Sequence, residues 1–121
     1  MGAAGGAPDG GADFGVAEHD GWTVVTVAGE LDLGTAGRLD EHLSKAIGAE
    51  GRPRVVVDVT RMTFCDSSGL NVLIRASKRI ASMHGRFVMV RPTERVRNVL
   101  RVTGLERVFD IRDELPPAGR G

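Results

Sequence analysis

The 121-residue sequence predicts an α/β domain with a mixed, mostly parallel sheet of about four to five strands and about four helices. Three observations carry this. A strand, a capped helix and a second strand follow one another between Arg54 and Val90. That span suits a βαβ unit with parallel strands. The turn dipeptide Asp20-Gly21 separates two earlier strand-like runs, which adds an antiparallel hairpin. Helical and strand-like periods then alternate to the end of the chain.

Taken in order, residues 1–12 (MGAAGGAPDGGA) are rich in glycine and alanine and are expected to form a flexible tail. They carry neither a basic n-region nor an apolar h-region, and Gly6 stands where myristoylation requires Ser or Thr. Phe14 to Glu18 is the first strand candidate. Trp22 to Ala28 is the second, with Trp22, Val24 and Thr26 on one face and Thr23, Val25 and Val27 on the other. Gly29-Glu30-Leu31-Asp32 is expected to end it.

Ala36, Leu39, Leu43, Ala46 and Ile47 recur at helical spacing, with Gly34 or Thr35 as the cap and Gly48 and Gly51 as the stop. Val55, Val56 and Val57 form a β-branched run fit for a strand buried on both faces, and Met62, Phe64 and Cys65 continue on the apolar side. At Asp66-Ser67-Ser68-Gly69 the period becomes helical.

On that helix Leu70, Leu73, Ile74, Ser77 and Ala81 form a stripe expected to face the sheet. Val72, Ala76, Ile80 and Met83 form a second stripe beside it, to be covered by a neighbouring helix or by a partner. Arg86 to Val90 is a further strand. Thr93 opens a helix with Val96, Val99, Leu100 and Thr103 on one face and Gly104 as stop. Val108, Phe109 and Ile111 suggest a last short strand. The closing residues 116–121 are expected to be flexible.

Composition narrows the function. Sixteen basic residues balance sixteen acidic ones, whereas duplex binding requires a basic excess, so nucleic acid is not an expected partner. No apolar run approaches the length that spans a bilayer. A single Cys65 within an apolar run excludes a disulfide scaffold, suits a reducing cytoplasm and reads as a small buried hydrophobe rather than a redox sensor. One Cys and three isolated His give no metal-ligand spacing, and neither phosphate-cradle glycine motif occurs, so no metal and no cofactor are expected.

Serine catalysis at Ser67 or Ser68 would need a nearby base. His84 stands at the far end of the same helix, His19 beside a surface turn, and His42 mid-helix. What the residues support is Ser67 as an acceptor of phosphate at a helix N-terminus, next to Asp66. The plain alternative is that DSSG is only a helix cap.

GELDLGTA at 29–36, VVVDVTRMTFCDSSGL at 55–70 and RVRNVLRVTGL at 95–105 resemble the STAS-domain anti-sigma factor antagonists of bacteria, over about residues 13–115. The resemblance implies a cytoplasmic, non-enzymatic STAS-type switch. Such a protein binds an anti-sigma factor, itself a serine kinase, and so frees a sigma factor. The kinase phosphorylates the serine after the motif's Asp, here Ser67, and a PP2C-type serine phosphatase restores it.

By the same resemblance the partner-facing residues are Glu30, Asp32, Asp66, Ser67, Ser68 and Gly69, with Asn71, Val72, Arg75, Ala76, Arg79 and Met83 on the helix that follows. Val72, Ala76 and Met83 lying there favours a partner as the cover of the second stripe. Ser68 would cap the helix and Gly69 would admit the partner's backbone. Asn71 stands where many relatives carry a small residue. A STAS domain serving as a fixed scaffold subunit of a larger signalling or transport complex is the rival reading.

Overall fold

The computed structural model describes residues 11–118. All but the last two residues of the expected N-terminal tail lie outside that range, as do residues 119–121.

Strands β1 (Ala12–His19) and β2 (Trp22–Leu31) pair antiparallel around Asp20 and Gly21. Those two residues have φ of 49° and 87°, the double positive-φ signature of a two-residue hairpin turn. Helix α1 (Ala36–Ile47) follows, then β3 (Arg54–Cys65), α2 (Ser67–Ser82), β4 (Arg86–Val90), α3 (Glu94–Val102), a single 3-10 turn (Leu105–Arg107) and β5 (Asp110–Arg112). The five strands lie in chain order, β1-β2-β3-β4-β5. Every pair after the hairpin is parallel. This is the expected mixed, mostly parallel sheet, with three α-helices and one 3-10 turn among the described residues against about four helices expected.

The middle of the sheet departs from simple alternation. The sequence separation of paired residues between β2 and β3 is 32 at Thr26–Asp58 and 34 at Leu31–Cys65. Two single-residue irregularities on β3 produce that difference. They let β2 run on through Leu31 instead of ending at Gly29. They also space the core-facing residues of β3 by two and then by three: Val55, Val57, Val59, Met62, Cys65. Phe64, expected on the apolar side, is turned outward and is 39% exposed. Gly29, at φ 95°, is required here, because a Cβ would lie 2.5 Å from the Gly11 carbonyl oxygen.

All three helices pack on one face of the sheet. Ala36, Leu39, Leu43 and Ile47 of α1, Leu70, Val72, Leu73, Ala76 and Ile80 of α2, and Val96 and Leu100 of α3 join the valines of β2 and β3 in one core. The other face buries Trp22, Val24, Val56, Val88 and Val90. Leu115 packs on it, Pro116 is buried, and the Trp22 indole donates to the Pro117 carbonyl at 2.8 Å. The residues expected to be a flexible C-terminal tail therefore begin packed, through Pro117, because they cover apolar surface that no helix reaches. Among the described residues no helix is long and apolar enough to cross a membrane.

Candidate functional site

The parallel strands β2 and β3 end side by side, with Glu30 beside Phe64 and Leu31 beside Cys65. The chain then turns into α1 on one side and α2 on the other. The Asp66 amide donates to the Leu31 carbonyl at 3.0 Å and ties the two turns together.

Asp66 caps α2. Its backbone is extended, and its Oδ1 accepts from the amides of Ser68 (2.8 Å) and Gly69 (3.2 Å). This corrects the expectation that Ser68 is the cap. Ser68 sits one residue inside the helix, where its own amide is a donor to be satisfied. Ser67, the first helical residue, is exposed, and its hydroxyl has no hydrogen bond to any described residue. It stands free on a fixed backbone.

Gly69 serves the fold rather than a partner's approach. It is buried, and a Cβ there would lie 2.6 Å from Leu31 Cγ and 3.0 Å from Cys65 Sγ. The close approach is between α2 and the ends of its own strands. Cys65 is buried as well, and burial, reinforced by the neighbouring Asp66 carboxylate, pushes its thiol up to about 12. It stays protonated and unreactive at neutral pH.

The Gly29–Ala36 turn is knitted by Thr35, a buried polar residue whose place in the site the sequence did not reveal. Its Oγ1 donates to the Glu30 carbonyl at 2.8 Å and accepts from the Asp32 amide at 2.9 Å. Thr35 occupies the N-cap position of α1 without making a side-chain cap bond, because its hydroxyl is spent on this turn. Asp32 is half-buried, and its Oδ1 accepts from the Gly34 amide at 3.0 Å, so it shapes the loop. Glu30 points to solvent. Leu33, at the tip of the turn, is 82% exposed. Leu33 and Phe64 thus place apolar surface on the same rim; sequence reasoning passed over Leu33 and expected Phe64 on the apolar side of its strand. An apolar residue between two turn formers, Asp32 and Gly34, was the available signal for Leu33.

Helix α2 presents Asn71, Arg75, Lys78 and Arg79 outward. Arg75 lies 3.9 Å from Asp40, and Arg79 donates to the Gly48 carbonyl at 3.2 Å, both toward α1. Val72 and Ala76, expected to meet a partner, are buried instead, with Leu39, Leu43 and Ile47 of α1 in the same core; Met83 is half-buried at the C-cap. The neighbouring helix covers the second stripe.

No histidine is hydrogen-bonded to Ser67 or Ser68 among the described residues. His42 bonds the Arg38 carbonyl and stacks on Phe14, and His19 pairs with Asp20. No group of three metal-ligating side chains converges among the described residues.

Residues 14–118 match the STAS domain family model. The anti-sigma-F factor antagonist RsfB of Mycobacterium tuberculosis is 30% identical over 106 residues, 88% of this chain and 85% of that one. The anti-sigma-B factor antagonist of Listeria monocytogenes is 29% identical over 89 residues, 74% of this chain and 77% of that one. A crystal structure of an anti-sigma factor antagonist from Mycobacterium paratuberculosis superposes with a TM-score of 0.78 at 30% identity, covering 90% of this chain and 91% of that one.

Proposed function

This chain belongs to the STAS domain family, and from that premise we propose that it is an anti-sigma factor antagonist switched by phosphorylation of Ser67. Its relatives in M. tuberculosis and L. monocytogenes carry the antagonist name. The observation that carries the switch is the free, exposed Ser67 hydroxyl on a helix start that Asp66 holds rigid. A kinase reaches that oxygen without unfolding anything.

The partner is an anti-sigma factor that is itself a serine kinase, and it covers the rim formed by Glu30, Asp32, Leu33, Phe64, Asp66 and Ser67 together with the outward face of α2. Phosphate on Ser67 adds about −1.5 to −2 charges. The helix N-terminus offers that charge little relief, because the Ser68 and Gly69 amides already serve the Asp66 carboxylate. The dianion stands beside a second anion in a surface shaped for a neutral hydroxyl, and an unpaired charge at an interface costs several kcal/mol. Binding is lost while the fold persists. A PP2C-type serine phosphatase resets the cycle, in the cytoplasm, and the protein acts by binding rather than by catalysis.

The test uses the cognate kinase, identified by affinity capture from the native host with intact-mass analysis of the bait. Titration calorimetry should show Ser67→Ala binding as tightly as the unmodified protein and Ser67→Asp at least tenfold more weakly. Equal affinities for these two variants, or phosphate found at another residue, would overturn the switch.

A further inference from the structure

Among the described residues strand β1 is an edge of the sheet, and its outer side meets no other strand. The opposite edge, β5, is three residues long and braced by Arg112–Asp110 bonds at 3.0 Å, a short charged edge that resists pairing. β1 has eight residues without proline or lysine, and from Asp13 to His19 all but Phe14 are exposed. Val16 is 53% exposed.

The hairpin determines which backbone groups that edge offers. With a two-residue turn, His19 and Trp22 exchange hydrogen bonds, and so do Ala17 with Val24, Gly15 with Thr26 and Asp13 with Ala28. The amides and carbonyls of Phe14, Val16 and Glu18 therefore point outward. The Ala12 carbonyl, in the same phase, confirms this alternation by accepting from Arg38 at 2.8 Å. The outward groups of Phe14, Val16 and Glu18 have no partner among the described residues.

One antiparallel register joins two such edges with every outward group bonded. Val16 faces Val16 on a two-fold axis, and Phe14 faces Glu18 on both sides of it. The same register sets Asp13 opposite His19 of the second copy, twice by symmetry, and puts no like charges directly opposite. Pairing Glu18 on Glu18 would do so. Around Val16 and Glu18, helix α1 is separated from the edge by an open groove of about 430 Å³ lined also by His42, Lys45 and Ala46. The groove leaves room beside Val16 and Glu18, whereas at Ala12 the Arg38 side chain of α1 already bonds the edge.

We propose that β1 is a self-pairing edge, through which two copies of this chain form a weak antiparallel dimer with Val16 on the axis and one continuous sheet. An edge contact buries less than the ~1,200–2,000 Å² of a stable interface, so the dimer dissociates on dilution. It is independent of the Ser67 reading, since α2 packs against α1, away from the β1 edge, and both copies keep their sites open.

Sedimentation equilibrium of the full chain from about ten micromolar to about one millimolar tests it. The weight-average mass should rise toward twice the monomer's. Val16→Pro should hold it at the monomer, losing an outward amide and no bond within the chain. Val16→Lys, which sets like charges face to face on the axis, should do the same and serves if the proline variant fails to fold. Amide exchange should slow with concentration at Phe14, Val16 and Glu18 but not at Gly15 or Ala17. A monomer across the whole range, a dimer that Val16→Lys leaves intact, or protection at those three amides independent of concentration would each overturn the proposal.

Discussion

Asp66 and Ser67 are neighbours with opposite duties, and the division rests on one position in the helix. The extended backbone at Asp66 aims its carboxylate at two first-turn amides. One residue on, Ser67 cannot reach those donors, which is why its hydroxyl stays available. Ser68→Ala removes no cap and should change stability by less than ~0.5 kcal/mol. Asp66→Ala strands both amides and should cost ~1 kcal/mol, up to ~2 given that two donors depend on it. Urea unfolding of the two variants checks the ranking. A larger loss for Ser68→Ala would place the cap at Ser68. From sequence, Asp66, Ser67 and Ser68 each have a side chain that can accept from an amide, so nothing local speaks against the expected cap at Ser68. Only the strand register, which brings the Asp66 amide to the Leu31 carbonyl at 3.0 Å, decides which residue sits at the boundary.

Helix α2 shows how an element turns once its neighbours are known. Counting about 100° per residue from Leu70, its buried residues Gly69, Leu70, Val72, Leu73, Ala76 and Ile80 centre at about 270°, while Ala81 on the expected sheet-facing stripe is exposed. The helix is rolled so that the seam between the two apolar stripes points inward, one stripe to the sheet and the other to α1. Val72→Ala should therefore lower stability by ~1–3 kcal/mol and leave affinity for the kinase unchanged once the variant is folded. Lys78→Glu, on the outward face, should do the reverse: an unchanged melting temperature and weaker binding. Chemical unfolding and titration on the same two proteins separate the roles. The hairpin, the helices and the βαβ unit were legible because turn dipeptides, caps and periods are local signals. The roll of α2, the outward Phe64 and the role of Thr35 were not, because each depends on the β2–β3 irregularities or on which helix lies alongside, and neither is written in a single segment.

At the scale of the whole molecule the sheet is asymmetric: three helices cover one face, and on the other the final described residues pack over Trp22, Val24, Val56, Val88 and Val90. Arg86 lies over the Trp22 ring at 5.6 Å from its centroid, and Trp22 itself is only 2% exposed. Its indole proton is committed to the Pro117 carbonyl at 2.8 Å, so the C-terminal segment supplies both a polar partner and a lid for the apolar patch. Removing residues from Leu115 onward should bare that patch and strand the indole N–H, at a cost of ~2–4 kcal/mol from the lost burial and the unpaired donor together. Trp22 is the only tryptophan in the chain, so its fluorescence reports on this face without interference. The emission of the truncated protein should shift to the red under native conditions, with the far-UV spectrum unchanged and the urea midpoint lowered. An unshifted emission maximum would mean that Trp22 stays dry without the segment, and that the sheet alone buries it.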